Sequence, residues 1–287
     1  MKSMILVTGA TGTIGQSLVK ELTDLQAGFR VLVRSEEKAE PFRRQGIEAV
    51  IGDLSDRSAV RKALAGVRKV FLLSATSPEM PQLQGNMVKE AASLGVEHIV
   101  KISAMGSDPA AGFNIGRWHG VIEEQIRESN VPFTFLHCHS FMQNLLFDAA
   151  TVREEGKIYS GQGAGAIPMV DTRDIAAVAA AILTSDGHRG KVYRLTGPEA
   201  ITYHDIARLL TQITGREVTY VALTPDEAWQ QMTSAGMPEW LADDMRLLNK
   251  RYGNNESAEV SNDVNQILGR PALTIEQFLT DYRGKFI

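Results

Sequence analysis

The stretch "VTGATGTIG" sets Gly9, Gly12 and Gly15 three residues apart, directly after an apolar run and directly before a helical one. Each glycine has a separate chemical use. Gly9 permits a tight turn, Gly12 lets the backbone approach a pyrophosphate, and Gly15 lets the helix pack close to the strand. A pyrophosphate would then rest on the free N–H groups and positive end of that helix. A tight turn without a ligand would use the same residues. The apolar strand before it and the alternating α/β pattern after it point to the ligand.

Two further positions refine that ligand. The run "VLV" ends in Arg34, where a protein selective for NAD carries an acidic residue for the ribose hydroxyl. An arginine there would pair with a 2′-phosphate through its planar fork, with Lys38 assisting, so the expected cofactor is NADP(H) in preference to NAD(H). An exposed arginine after a strand is the plainer reading. "GDLSD" then places Asp53 and Leu54 at the carboxyl edge of the next strand, where an adenine would lie. Asp53 would accept from the adenine amino group, cap the helix starting near Ser55 or Asp56, or do both.

His137, Cys138 and His139 in "LHCHSFMQN" are metal-ligand types in a row. Strand alternation puts the histidines on one face and the cysteine on the other, so no metal site is expected.

The elements that must position these residues are short β-branched runs alternating with helical stretches. The strands read as "MILVTG", "RVLVR", "EAVIGD", "KVFLLS", "HIVKIS" and "FTFLHC", with "KVYRLTG" later in the chain. The first six lack polar alternation, as strands buried on both faces of a parallel sheet do. Between them lie "IGQSLVKELTDLQ", "SAVRKALAG" and "LQGNMVKEAASLG" as helices. Such alternation implies a Rossmann-type, doubly wound parallel sheet with right-handed crossovers. After about residue 145 the character changes. "REEGKIYSGQGAGAIPMV" reads as loop with short strands, "DTRDIAAVAAAILTS" as a helix capped by Asp171 or Thr172, and the rest as mainly helical. The expected organisation is a dinucleotide-binding core over 1–145. Residues 146–287 would return strands and a helix to that core and build a smaller, mainly helical substrate-binding part.

Composition sets outer bounds. Of 287 residues, 44% are hydrophobic and 22% charged, so most of the chain should fold. A net charge of −4 with scattered cations argues against dedicated nucleic-acid binding. The single cysteine fits a reducing cytosol. "MKSMILVTG" is too short an apolar run for a signal peptide, and no later segment approaches a membrane span, so a cytoplasmic protein without membrane contact is expected.

"TGATGTIG", "GDLSD", "ISAMGS" and "VPFTFLHCHSFMQN", in this order, resemble the atypical short-chain dehydrogenase/reductases. More narrowly, the chain resembles their NmrA-like branch, which includes triphenylmethane reductases, type 2 NAD(P)H:quinone oxidoreductases and NADP(H)-sensing regulators. The resemblance extends through "VDTRDIAAVAAAIL" and "TYHDIARLLTQITGREVTYVALTPDEA". It implies cofactor contacts at Thr11, Thr13 and Ile14 beside the three glycines. It further implies that Ser74, Ala75 and Thr76 lie beside the cofactor ribose, and it places the superfamily's fifth-strand serine on Ser103.

The Tyr-x-x-x-Lys pair of the superfamily falls on Ile115 and His119, so the tyrosine is absent and the lysine replaced. His119 could bond the nicotinamide ribose or donate a proton, or it could simply be a partly buried residue beside Trp118. Ser103 could bond substrate or nicotinamide, or satisfy backbone at a strand end. The segment "SFMQNLLFD" would lie over the nicotinamide. There Phe141, Met142, Asn144 and Phe147, with Phe113 and the later Trp229, Met232, Met237 and Trp240, would line an apolar substrate pocket or else be core. Without a tyrosine, hydride transfer suits acceptors that need little acid catalysis. The expected function is reduction of a flat, electron-poor substrate such as a quinone or dye. The alternative is a non-catalytic NADP(H) sensor with a protein partner, and nucleotide-sugar chemistry is less favoured.

Overall fold

The computed structural model describes residues 4–287, so the first three residues of "MKSMILVTG" lie outside it. Its first part runs β1 (Ile5–Val7), α1 (Thr13–Asp24), β2 (Phe29–Val33), α2 (Glu36–Arg43), β3 (Glu48–Ile51) and α3 (Arg57–Ala63). It continues through β4 (Lys69–Leu72), α4 (Met80–Ser93), β5 (His98–Ala104), α5 (Asn114–Glu128) and β6 (Phe133–Cys138). A 3-10 helix (Met142–Asp148), α6 (Ala149–Glu155), β7 (Lys157–Ser160) and β8 (Ala166–Ile167) follow, and then α7 (Thr172–Thr184) and β9 (Lys191–Leu195). The remainder is β10 (Ile201–Thr202), α8 (Tyr203–Thr214), β11 (Thr219–Ala222), α9 (Pro225–Ser234), α10 (Glu239–Gly253), α11 (Asp263–Leu268), α12 (Ile275–Asp281) and α13 (Arg283–Phe286).

Seven strands form one sheet in the order β3-β2-β1-β4-β5-β6-β9. The pairs from β3 through β6 are all parallel. This is the doubly wound Rossmann arrangement, and its strand order reverses between β1 and β4. A ligand of such a sheet sits at that reversal, beyond the carboxyl ends of the strands. Leu6, Val70, Ile99 and Phe135 on the strands pack with Val60, Met87, Ile122 and Ile126 of the covering helices, all buried. Each such side chain contributes about 1.5–3 kcal/mol on burial.

The chain divides into two compact units, Met1–Cys138 with Thr172–Arg194, and His139–Asp171 with Leu195–Ile287. The second has its own core, including Met142, Ile158, Ile206 and Phe278, and two small sheets pairing β10 with β8 and β11 with β7. Its α8 opens with a capping box between Thr202 and Asp205 and closes on Gly215. α7 and most of β9, which lie after residue 145, fall in the first unit with the sheet.

Candidate active site

The glycine loop is held from both sides. Thr8 Oγ1 donates to the Leu73 carbonyl at 2.8 Å and accepts from the Leu73 N–H at 2.9 Å, which ties the end of β1 to the end of β4. Gly9 follows at φ +67°, a left-handed conformation that favours glycine. A Cβ on Gly15 would overlap the Gly9 carbonyl oxygen, so the first turn of α1 packs directly against the turn before it. Gly12 is the N-cap of α1, with no side-chain cap and no acidic residue in the first turn. Some other helices are capped by a side chain. Asp56 at the start of α3 accepts from Ser58 and Ala59 N–H. The start of α1 therefore offers a row of N–H donors, a positive helix end and no side chain to satisfy them. Thr11, Gly12 and Thr13 are exposed there, whereas Ile14 is buried.

Arg34 is exposed just beyond β2, and Lys38 is exposed in the first turn of α2. Asp53 Oδ1 accepts from Ser55 N–H at 2.9 Å. The Ser55 hydroxyl and N–H, with Arg34 adding to them, hold its carboxyl below the usual carboxylate range. Capping of the following helix falls to Asp56 and not to Asp53. Leu54 packs partly on the core, and its carbonyl accepts from Asn86. Ser74 Oγ accepts from Gln84 at 3.0 Å, while Ala75 and Thr76 are exposed.

A buried polar ladder joins β5 to α5. Lys101 and Ser103 are two residues apart on the strand, a step of about 6.6 Å along one face. His119 and Glu123 are four apart on the helix, a step of about 6 Å. The matched spacing makes two rungs, Lys101 Nζ to His119 Nδ1 at 2.8 Å and Ser103 Oγ to Glu123 Oε1 at 2.5 Å. His137 lies opposite Ser103 in the β5–β6 register and reaches Glu123 Oε1 at 2.8 Å. Arg127 meets Glu123 Oε2 at 3.0 Å.

Ser103 and His119 thus come to one buried cluster, at 2% and 8% exposure. The Ser103 hydroxyl proton is given to Glu123. Burial pushes Lys101 down to about 7. Burial, then the charge of Lys101, hold His119 well below its ordinary value, so its ring is neutral at pH 7. The cysteine between the histidines is buried in an apolar setting that pushes its thiol up, and it is inert. His139 lies past the end of β6 and bonds the Ser257 carbonyl at 3.1 Å. Among the described residues no group of His, Cys, Asp or Glu is placed to hold a metal ion, and no helix is long and apolar enough to cross a membrane.

The remaining pocket residues take different settings. Phe113, 6% exposed, packs its ring over Gly106 and Gly116. In the second unit Met142 is enclosed in the core, Phe141 bridges to Val170, Asn144 is exposed and Phe147 is 87% exposed. Trp229, Met232, Met237 and Trp240 are half-buried on α9, α10 and the link between them. Lys101 and Glu123 were not singled out from the sequence. The available signal was a lone charge inside the apolar run "HIVKIS", and an acid one turn beyond His119.

The sheet order and the uncapped glycine start of α1 define a dinucleotide-binding α/β protein. The chain belongs to the NmrA-like family, whose model matches residues 1–279. It is 39% identical over 283 residues to an NAD(P)H azoreductase of Xenophilus azovorans, covering 99% of each chain. It is 36% identical over 285 residues to a (4-alkanoyl-5-oxo-2,5-dihydrofuran-3-yl)methyl phosphate reductase of Streptomyces griseus, again covering 99% of each. Among solved structures it is similar to the NADPH-dependent quinone oxidoreductase QOR2 of Escherichia coli complexed with NADPH. There the TM-score is 0.89 and the identity 28%, with 98% of this chain and 100% of that one covered.

Proposed function

We propose that this chain is an NADPH-dependent reductase of flat, electron-poor acceptors such as quinones and azo or cationic dyes. The observation that carries the reading is the start of α1, a glycine-capped helix end with no carboxylate of its own to satisfy it. An NAD(P)H azoreductase and an NADPH-dependent quinone oxidoreductase, each matching nearly the full chain, support it.

In this reading Gly9, Thr11, Gly12, Thr13, Ile14 and Gly15 hold the pyrophosphate, and Arg34 with Lys38 takes the 2′-phosphate. Asp53 and Leu54 flank the adenine, and Ser74, Ala75 and Thr76 flank a ribose. The bound cofactor supplies the hydride. Ser103 and His119 act as auxiliary groups, through hydrogen bonds and positioning. The residues assigned to the acceptor in this reading are Phe113, Phe141, Met142 and Asn144. With isoleucine at 115 the chain lacks a phenolic proton donor there, and a neutral His119 is a weak acid. The chemistry therefore suits acceptors whose reduced form is stable as an anion or is neutralised by the hydride itself. The single, buried thiol fits a cytoplasmic setting.

The test is steady-state oxidation of NADPH, and of NADH in parallel, across a panel of quinones, azo dyes and triphenylmethane dyes. Turnover with a preference for NADPH is expected. Absence of turnover with every acceptor would overturn the reading and leave cofactor sensing in its place.

A further inference from the structure

We infer that Lys101 sets the tautomer of His119, so that the ring presents Nε2–H as a neutral hydrogen-bond donor to an acceptor atom of the bound cofactor or its substrate. The ligand in this statement rests on the reductase reading above; the tautomer does not.

The argument begins from donor counting. A lysine ammonium has three donors and no acceptor. Below its value of about 7 the fully buried Lys101 amine is an ammonium, and it then gives one proton to the Ile102 carbonyl at 2.6 Å and one to His119 Nδ1 at 2.8 Å. A ring nitrogen that accepts carries no proton, so the proton of the neutral imidazole is on Nε2. Nε2 has no hydrogen-bond partner among the described residues, although the ring is 8% exposed. Nε2 is not among the buried unpaired side-chain atoms, so it reaches the protein surface, where an external acceptor can meet it.

The groups facing the pair are few. Glu123 on α5 and the Cys138 thiol on β6 are the titratable groups facing Lys101, and Lys101 and His137 on β6 those facing His119. None of the others competes with Lys101 for Nδ1. A cation bonded to Nδ1 also polarises the ring, which makes Nε2–H a stronger donor than that of an isolated imidazole. Lys101 is thus a positioning residue. It touches no ligand itself, and its charge reaches the site only through His119.

The experiment uses the full chain labelled with 15N-histidine, with His119→Asn to assign the ring. Long-range 1H–15N correlation at pH 6 should show His119 neutral, protonated at Nε2, and with Nδ1 displaced toward the position of a hydrogen-bonded acceptor. In Lys101→Met that displacement should vanish and the Nδ1–H form become detectable. NADP+ and a quinone are then added separately, and the one that moves the Nε2 signal identifies the acceptor. In steady state, Lys101→Met should lower kcat/KM up to about tenfold, the loss of one hydrogen bond of ordinary net strength. It should also remove an inflection near pH 7 that a purely structural role would not produce.

A wild-type ring protonated at Nδ1 overturns the inference, and that spectrum needs no variant to fold. A folded Lys101→Met protein with an unchanged His119 spectrum overturns it too, as does an Nε2 signal that neither ligand moves. Turnover is scored separately. An active enzyme with the wrong tautomer sinks this inference alone, and an inactive one with the expected tautomer sinks the reductase reading alone.

Discussion

Ser103 on β5 and Glu123 on α5 share a 2.5 Å hydrogen bond, and both side chains are sealed from solvent. The carboxylate also meets His137 and Arg127, so one buried acid organises three donors from two strands and a helix.

Removing that acid strands its partners. Glu123→Ala should cost about 1–3 kcal/mol of stability, the cost of leaving buried donors unmatched, and Glu123→Gln should cost less because an acceptor oxygen remains for Ser103. Chemical denaturation followed by circular dichroism measures both. Burial pushes the Glu123 carboxyl up, but the hydrogen bonds from His137 and Ser103 outweigh it, and the folded value lies below the ordinary 4.5. The folded protein therefore binds fewer protons, and the contribution is present above that value. The advantage of wild type over Glu123→Gln should shrink as the pH falls below about 4.5.

Lys101 gives a slope of the same direction, but as a penalty on its charged form instead of a gain. Its folded value of about 7 lies below the ordinary 10.5, so between these two pH values the unfolded chain binds the extra proton. Stability from this group rises with pH through that window, by an amount on the order of 4 kcal/mol. Lys101→Met should be more stable than wild type at pH 6, by roughly 1–4 kcal/mol, with the margin closing as the pH rises above 7. A less stable variant at pH 6 would contradict this.

The last two glycines of the loop should separate folding from binding. Alanine at Gly15 meets backbone that cannot yield, so Gly15→Ala should cost roughly 2–4 kcal/mol together with cofactor binding. Alanine at Gly12 would come no closer than 3.4 Å to the Gly9 oxygen. Gly12→Ala should therefore fold with stability within about 0.5–1 kcal/mol of wild type while losing tenfold or more in affinity for NADPH. Thermal melts with and without NADPH distinguish the two cases.

Arg34→Ala should raise the Kd for NADPH by about 10–100-fold, the strength of a charge-assisted hydrogen bond, and leave NADH within a few-fold. Fluorescence titration of both nucleotides gives the ratio, and an equal loss for both would remove Arg34 from the 2′-phosphate.

The first six strands of the main sheet were legible because they are short, mainly apolar runs without regular polar alternation, and the loop because its glycines stand between a strand and a helix. Helix α2 was not legible, since "EEKAEPFR" is polar and contains Pro41. The ladder was hidden for a different reason. Lys101 and His119 are 18 residues apart, and only the packing of α5 on β5 brings them together. Alternation put His137 and His139 on one face, but β6 ends at Cys138, and His139 turns to Ser257 instead. The interleaving of the two units turns on where α7 packs, which local composition does not encode.

That interleaving bears on how the protein is made. Strand β9 flanks β6 in the finished sheet, yet it follows β6 by more than fifty residues, most of them belonging to the other unit. A nascent chain that has delivered β6 thus carries an apolar edge strand, with Phe135 and Leu136 among its residues and its outer hydrogen-bonding groups unpaired. Until residue 195 leaves the ribosome that edge is open to pairing with a neighbour, and synthesis speed across the excursion sets how long the exposure lasts.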